Sequence, residues 1–168
     1  FDPPVVVKPN SATQGVGVAK VDDVDSLLGV VDYLRALHGF EATGDKSFLL
    51  QAHLPGARDY RVMVVDGEYA GAVERRLAED DVAAGRWKHN VHRSAEATGV
   101  DLRGDLRGLA ERVADVLDVD LLGVDLLVAD DRAVVVETAA RPTIDEAGKY
   151  ESDFYDRLAA LIRVRAEG

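Results

Sequence analysis

Apolar residues recur every three to four positions in three stretches of the chain, which is the spacing of a helix with one buried face. The stretch 24–37 follows two aspartates that can cap a helix and is closed by Gly39. The same period covers 102–117, and a weaker version covers 154–162 near the end. The pattern therefore predicts three helices.

Seven runs rich in β-branched residues predict strands, at 5–8, 15–21, 48–53, 60–65, 68–75, 122–129 and 133–138. Asp66 and Gly67 are the pair that a two-residue turn with positive φ prefers, so they predict a hairpin. A second hairpin is predicted in "GVDLLVADDRAVVVE", with a loop of odd length centred on Asp131. The stretch 78–98 has no clear period and is predicted to be a long loop. Strands joined mainly by hairpins, with helices between them, predict the α+β class with largely antiparallel sheets.

The composition agrees with a globular domain and limits its partners. The 168 residues are 47% apolar, which is enough for one sizeable core. With 31 acidic and 20 basic residues the formal charge is −11. This balance argues against nucleic acid and anionic membrane as partners, because both are bound by clustered lysine and arginine. So acidic a chain also resembles proteins from high-salt cells, which we keep as a hypothesis.

Cysteine content and hydropathy give only a default expectation for the cellular location. The chain has no cysteine, so it has neither disulfides nor thiolate metal sites. It has no signal peptide and no apolar run long enough to cross a membrane, so a cytoplasmic location is the default expectation. An apolar run begins close behind Phe1, so the chain is expected to be a piece of a longer protein. Assembly into a homo-oligomer stays open.

The stretch "VKPNSATQGVGVAKV", residues 7–21, places a lysine and two glycines around a small-residue loop. A P-loop needs a lysine and a hydroxyl directly after its last glycine, where this chain has a valine and an alanine. The dinucleotide fingerprint needs a third glycine, where this chain has a second lysine. What remains is a hairpin in which Gly15 and Gly17 allow the backbone to approach phosphates and Lys8 supplies charge. A glycine-containing hairpin with a solvated lysine stays the alternative.

Asp125 and Glu137 each follow an apolar segment in the second predicted hairpin. Their separation is even, so with a loop of odd length they are expected to face each other on one side of the sheet. Two facing carboxylates repel unless a cation lies between them. Mg²⁺, which takes carboxylate and phosphate oxygens, is the natural occupant. The alternative is a pair of strand-end acids in water.

Basic residues elsewhere in the chain predict an anion site beside these acids. The candidates are Arg61, the pair Arg75 and Arg76, and the run "RWKHNVHR" from Arg86 to Arg93. In so acidic a chain such clustering is not expected of random surface residues. The two histidines of the run would also suit zinc, but no third ligand stands at a recognisable spacing, so zinc is the weaker alternative.

Five blocks in order resemble those of ATP-grasp ligases, and most closely the RimK-like glutamate-ligase branch: "VVVKPNSATQGVGV", "LLQAHLPGARDYRVMVVDGEYAGAVERR", "WKHNVHRSA", "LLGVDLL" and "VVVETAARP". The resemblance covers residues 4–145. It implies the ATP-grasp fold, in which two α+β subdomains with antiparallel sheets hold ATP between them. It also implies a small subdomain over 1–52 with the phosphate hairpin, a large subdomain over 53–168 with the metal and substrate site, and an upstream domain absent from this chain.

In this family ATP activates a carboxylate as an acylphosphate, ADP leaves, and an amine attacks to form an amide. The resemblance therefore implies a carboxylate–amine ligase that uses ATP with Mg²⁺ or Mn²⁺ and adds an amino acid, such as glutamate, to a carboxylate acceptor. Such chemistry needs positioning and charge neutralisation rather than a nucleophilic side chain.

The resemblance also implies a role for individual residues. Lys8 and the loop 11–17 would bind phosphates, the backbone of 51–54 would bind adenine, and Asp59 would bind the ribose. The implied residues are, for catalysis, Arg61, Asn90 and Arg93; for the nucleotide, Lys8, Ser11, Gln14, Gly15, Gly17, Gln51, Ala52, His53, Leu54, Asp59, Lys88 and His89; and for the metal, Asp125 and Glu137.

The sequence departs from the family pattern near the metal. Ala139 stands where the family has an asparagine that is a further metal ligand. Arg141 and Pro142 replace a small-residue turn that shapes the acceptor side. A second interpretation therefore stays open, in which the chain is a nucleotide-binding or interaction module that kept the fold and lost ligase activity. A plain α+β domain without a nucleotide is the third.

Overall fold

The computed structural model describes residues 4–10, 16–37, 47–88, 96–130 and 132–167. The chain divides into two compact units, Phe1–Pro55 and Gly56–Gly168. None of the described helices is long and apolar enough to cross a membrane. The elements are, in chain order, β1 (Val5–Pro9), β2 (Ala19–Val21), α1 (Val24–Leu37), β3 (Phe48–Ala52), β4 (Arg58–Val65), β5 (Glu68–Arg76), α2 (Glu79–Ala83), β6 (Glu96–Val100), α3 (Gly104–Leu117), β7 (Leu121–Ala129), β8 (Arg132–Ala139), a 3₁₀ turn (Ala147–Lys149) and α4 (Phe154–Glu167).

The first unit contains an antiparallel sheet of three strands in the order β2-β1-β3, with α1 packed on it. Val5 and Val7 of β1 are buried in a core that includes Leu34 of α1. Successive side chains of a strand point to opposite faces, so Lys8 lies on the face of β1 away from this core. Asp23 caps α1, because its Oδ1 accepts a 2.7 Å hydrogen bond from the main-chain N–H of Ser26.

The second unit contains an antiparallel sheet of five strands in the order β6-β5-β4-β7-β8. The turn between β4 and β5 is formed by Asp66 and Gly67, whose φ angles of 53° and 75° confirm the predicted two-residue hairpin. The predicted odd-length loop between β7 and β8 is wrong. Ala129 pairs with Arg132, which leaves a connection of two residues.

The two faces of this sheet are covered by different helices. On the α3 face, Val62 and Val64 lie in a core with Leu106 and Ala110 of α3. On the α4 face, Met63 of β4 packs with Phe154 of α4. The α4 contacts involve one end of the strands, and the charged residues described below lie toward the other end.

The helices predicted from apolar periodicity are present as α1, α3 and α4, and the α+β class with antiparallel sheets is confirmed. The prediction of a long loop over 78–98 is wrong, since this stretch holds α2 and the start of β6. Helix α2 has only five residues, too few to show a helical period. The strand predicted at 15–21 is shorter, with β2 confined to Ala19–Val21.

Candidate functional site

Five charged side chains lie together on the α4 face, on four neighbouring strands. We call them the charged cluster: Asp59 and Arg61 of β4, Arg75 of β5, Asp125 of β7 and Glu137 of β8. Their strand positions are linked by cross-strand pairing, which places Arg75 opposite Asp59, and Arg61 and Glu137 on either side of Asp125. Strand pairing thus brings together residues that are up to 78 positions apart in sequence, from Asp59 to Glu137.

Arg61 and Asp125 form the central contact of the charged cluster. Nε of Arg61 donates to Oδ1 of Asp125 and Nη2 donates to Oδ2, both at 2.8 Å. This is the bidentate geometry in which guanidinium and carboxylate bind most strongly. The side chains are 22% and 10% exposed, so the pair is partly withdrawn from water. Hydrogen bonding to Asp125 raises the pKa of Arg61.

Arg75 joins this pair to Asp59. Its Nε and Nη2 both donate to Oδ1 of Asp59, at 2.9 and 2.5 Å. Its Nη2 also lies 3.1 Å from Oδ2 of Asp125. Both oxygens of Asp125 are therefore in contact with guanidinium groups. The sequence marked Arg75 as one of several basic candidates but gave no reason to prefer it to Arg76.

A β-bulge in β5 decides that Arg75 belongs to the charged cluster. Regular pairing from the two-residue turn would place Asp59 opposite Glu74. The register shifts by one position within the hairpin, where β5 carries the extra residue Ala70, so Asp59 lies opposite Arg75 instead. Bulges of this kind turn side chains from one face of a sheet to the other.

A second bulge, in β8, brings Glu137 to the same face. Regular pairing from the turn would place Asp125 opposite Val136. The register shifts next to Asp125, so that Asp125 pairs with Glu137 and Val136 is the extra residue. The predicted pairing of the two acids is thus confirmed, but it depends on this bulge and not on the length of the loop.

The next residue along β5 lies on the α3 face and has a different partner. Arg76 donates to Glu74 at 2.6 Å, and Arg58 holds Glu74 through two bonds of 2.7 and 2.8 Å. Hydrogen bonding to Arg58 and then to Arg76 lowers the pKa of Glu74 to about 2. This buried carboxylate is therefore charged and balanced within its own face, apart from the charged cluster.

Comparison with known proteins identifies the family. A family model described as the RimK-like ATP-grasp domain matches residues 1–162. The chain belongs to this family. The probable alpha-L-glutamate ligase of Klebsiella pneumoniae (strain 342) is 31% identical over 144 residues, which cover 84% of this chain and 44% of that protein. The ribosomal protein bS6–L-glutamate ligase of Escherichia coli (strain K12 / DH10B) matches with the same identity and coverage. The chain therefore spans less than half the length of these relatives.

Solved structures show the same fold. The D-alanine–D-alanine ligase from Bacillus anthracis complexed with ATP matches with a TM-score of 0.66 at 22% identity, over 98% of this chain and 54% of that one. The biotin carboxylase from Campylobacter jejuni, in a beta-gamma-ATP complex, matches with a TM-score of 0.67 at 14% identity, over 88% of this chain and 33% of that one. The predicted ATP-grasp fold is confirmed.

The RimK-like family implies a divalent metal, and the donor set around Asp125 fits one. Asp125 and Glu137 are paired carboxylates, and Glu137 is exposed. Mg²⁺ is commonly bound by one or two carboxylates together with substrate phosphates, so two acids suffice when a nucleotide completes the site. Within the described residues, the charged cluster included, no group of three acids or histidines is placed to hold a metal ion, so the metal would depend on two carboxylates and the nucleotide. The fit requires Arg61 to release at least one oxygen of Asp125.

Two residues that depart from the RimK-like pattern, Ala139 and Pro142, lie in the large sheet or pack against it. Ala139 pairs with Gly123 and lies two residues beyond Glu137, on the same face. Its methyl group offers no metal ligand. Pro142 packs on Gly123, where an added Cβ would lie 2.8 Å from its Cβ. The proline that distinguishes this turn is therefore packed on the sheet beside the charged cluster.

The first unit holds the phosphate and adenine candidates. Lys8 lies within β1, and Gln51 and Ala52 end β3. Gly17 has a φ of 73°, and an added Cβ would lie 2.8 Å from Cγ of Pro9, so the turn itself requires glycine. The main-chain N–H of His53 donates to the carbonyl of Pro4.

The predicted adenine contacts at 51–54 differ in their exposure to solvent. Ala52 is exposed, whereas Gln51, His53 and Leu54 are half-buried. Burial, followed by the charge of Lys20, lowers the pKa of His53. A neutral imidazole at this position is compatible with the predicted backbone role of the segment.

The remaining candidates follow α2. Lys88 is half-buried, with its ammonium group 5.6 Å from the ring centre of Trp87. The other predicted residues lie outside the described ones, namely Ser11, Gln14, Gly15, His89, Asn90 and Arg93.

Proposed function

We propose that this chain is the nucleotide- and metal-binding part of an ATP-dependent ligase that joins a carboxylate to an amine. Family membership and the ligase names of the relatives support this. The observation that carries it is the charged cluster, which places two arginines and three acids on one face of the large sheet. A metal–phosphate complex needs charges of both signs at one site, because the acids suit the metal and the arginines suit the phosphate oxygens.

The proposed roles combine these contacts with the pattern of the RimK-like family. Arg61 is the residue that turns from Asp125 to the phosphate, since its guanidinium is already at the site and is charged at every relevant pH. Asp125 and Glu137 hold the metal, and Asp59 binds the nucleotide. Mg²⁺ would neutralise phosphate charge and favour attack by the substrate carboxylate. The carboxylate oxygen bonds to the terminal phosphorus of ATP as the phosphorus–oxygen bond to ADP breaks, so ADP leaves and an acylphosphate forms. The amine then attacks the acyl carbon, which forms the amide and releases phosphate and a proton.

The identities of the amine and of the acceptor are proposed from the names of the relatives. Two of them are named as L-glutamate ligases, one acting on a ribosomal protein. We propose an amino acid, glutamate in the first instance, as the amine, and a carboxylate acceptor of a protein or peptide. Lys8, Gly17 and the segment 51–54 remain the proposed phosphate and adenine contacts of the first unit.

Ala139 supports a second candidate, a nucleotide-binding module without ligase activity. The position faces the same side as Glu137 and offers no oxygen ligand. Both candidates require binding of ATP with a metal. They differ in whether ADP forms in a reaction that needs both a carboxylate and an amine.

The first test is calorimetric titration with ATP in the presence and absence of Mg²⁺. We expect metal-dependent binding by the chain and its loss in the double variant Asp125→Asn, Glu137→Gln. The matched control, Asp130→Asn with Glu167→Gln, makes the same charge change at two exposed acids outside the charged cluster. Equal binding by both double variants would contradict the metal site. Once binding is established, ADP formation that depends on carboxylate and amine separates the ligase from the inactive module.

A further inference from the structure

We propose that Arg75 is a positioning residue, which fixes the carboxylate of Asp125 for the metal while Arg61 is engaged with phosphate. This inference rests on the proposed function. It concerns a residue that the family resemblance did not assign to the site. Arg75 contacts two acids at once, and these contacts support the assignment.

Arg75 is held more firmly than an ordinary surface arginine. Its side chain is 14% exposed, and those of Asp59 and Asp125 are 13% and 10% exposed. Two of its nitrogens bind one oxygen of Asp59, and one of them also reaches Asp125. Asp59 therefore anchors the guanidinium, and the anchored guanidinium in turn restrains Asp125. A planar donor group that spans two acids in this way loses little freedom when it binds.

Arg61 and Arg75 contact different sets of oxygens on Asp125. Arg61 contacts both oxygens of Asp125, whereas Arg75 contacts Oδ2 alone. When a phosphate attracts Arg61, Oδ1 is released from guanidinium contact and Oδ2 stays bound to Arg75. Asp125 would then keep its orientation and present one oxygen. Groups that orient a metal ligand commonly change metal affinity by about 10–100-fold when they are removed.

Arg76 provides a matched comparison on the same strand. It has the same side chain and lies one position further on, yet it is 66% exposed and binds Glu74 on the opposite face. Removal of its charge changes the formal charge of the chain as much as removal of Arg75 does. A difference between the two variants therefore reports the position of Arg75 and not the loss of a positive charge.

The experiment measures binding of Mn²⁺ with ADP by electron paramagnetic resonance, which distinguishes free from protein-bound Mn²⁺. The wild-type chain is compared with Arg75→Gln, Arg75→Lys and Arg76→Gln. We expect Arg75→Gln to weaken Mn²⁺ binding in the presence of ADP by about tenfold and Arg76→Gln to leave it within about twofold. Arg75→Lys should be intermediate, because an ammonium group keeps the charge but cannot span both acids.

Each outcome decides the inference. Circular dichroism and thermal unfolding first establish that the variants are folded, and Arg75→Lys replaces Arg75→Gln if the latter is not. Absence of Mn²⁺ and ADP binding in the wild-type chain would overturn the proposed function and this inference with it. Wild-type binding with equal affinities for the Arg75 and Arg76 variants would overturn the inference alone and leave the proposed function standing.

Discussion

Arg61 and Asp125 are joined by two hydrogen bonds of 2.8 Å, so each side chain needs a new partner when the pair separates. Both side chains are partly buried, and a buried charge without a partner is costly. A metal alone would leave Arg61 without its carboxylate partner, and a phosphate alone would leave Oδ1 of Asp125 without a guanidinium partner. Metal and phosphate together supply a partner to each. The contact therefore predicts that the two ligands assist each other in binding.

Arg61→Gln tests this coupling, because it removes the charge that competes with a metal for Asp125. We expect Mn²⁺ without nucleotide to bind about tenfold more tightly to the variant, and ADP to bind about tenfold more weakly. The two affinities are measured by electron paramagnetic resonance and by calorimetry. Arg76→Gln is the control, and both of its affinities should stay near wild type. A parallel fall of both affinities in Arg61→Gln would contradict the coupling.

At the scale of elements, the large sheet is stabilised by close packing and by ion pairs between its strands. The 3₁₀ turn crosses strand β6 so closely that a Cβ on Gly99 would lie 2.7 Å from Cα of Lys149. Backbone atoms cannot move aside as a flexible side chain can. The turn can therefore lie this close to the sheet because residue 99 is a glycine, which has no side chain.

Gly99→Ala should therefore destabilise the chain, by about 1–3 kcal/mol in the free energy of unfolding. Gly108→Ala is the matched control within α3, where the nearest atom to an added Cβ is the flexible end of Arg112 at 3.4 Å. That change should stabilise the helix by about 0.5–1 kcal/mol, because alanine has the higher helix propensity. Urea unfolding measures both values. Equal effects of the two substitutions would show that the close approach is not limiting.

The ion pairs of Glu74 predict a pH dependence on the α3 face. The pKa of this carboxyl is about 2 in the folded chain and 4.5 as its ordinary value, so its charge stabilises the fold above pH 4.5. That contribution is lost as the pH falls from 4.5 toward 2. Glu74→Gln should lower the free energy of unfolding by about 2–3 kcal/mol at pH 6, with a smaller difference at pH 3. A difference that does not change with pH would contradict the assignment, and denaturant titrations at several pH values decide it.

At the scale of the whole molecule, the dominant property is the formal charge of −11. Among the described residues many acids are exposed, so the folded chain carries much of its negative charge at its surface. Self-repulsion of this kind destabilises a compact state and is screened by salt, with a screening length of about 3 Å at 1 M.

We therefore expect the temperature of thermal unfolding to rise by several degrees when KCl is increased from about 0.1 to 2 M. A variant with four exposed acids neutralised lowers the formal negative charge by four and should respond less to salt: Asp115→Asn, Asp118→Asn, Asp130→Asn and Glu167→Gln. An identical response of both chains would show that salt acts through a property other than net charge. This measurement also tests the hypothesis of adaptation to high salt.

The sequence by itself determined the elements and the family. The apolar period of 24–37 and the turn pair Asp66 and Gly67 act over short distances, and the five blocks are recognised by their order along the chain. All three can therefore be read from the linear sequence. They predicted α1, the first hairpin and the ATP-grasp fold, which the structure and the comparisons confirm.

The tertiary structure decided which side chains share a face. Arg75 and Arg76 are adjacent and chemically identical, and only the bulge at Ala70 assigns one to the charged cluster and the other to Glu74. A bulge depends on how two strands fit across the whole sheet, and a shift of one residue reverses the face of every side chain beyond it. No local pattern contains that information, because it arises from contacts between distant parts of the chain.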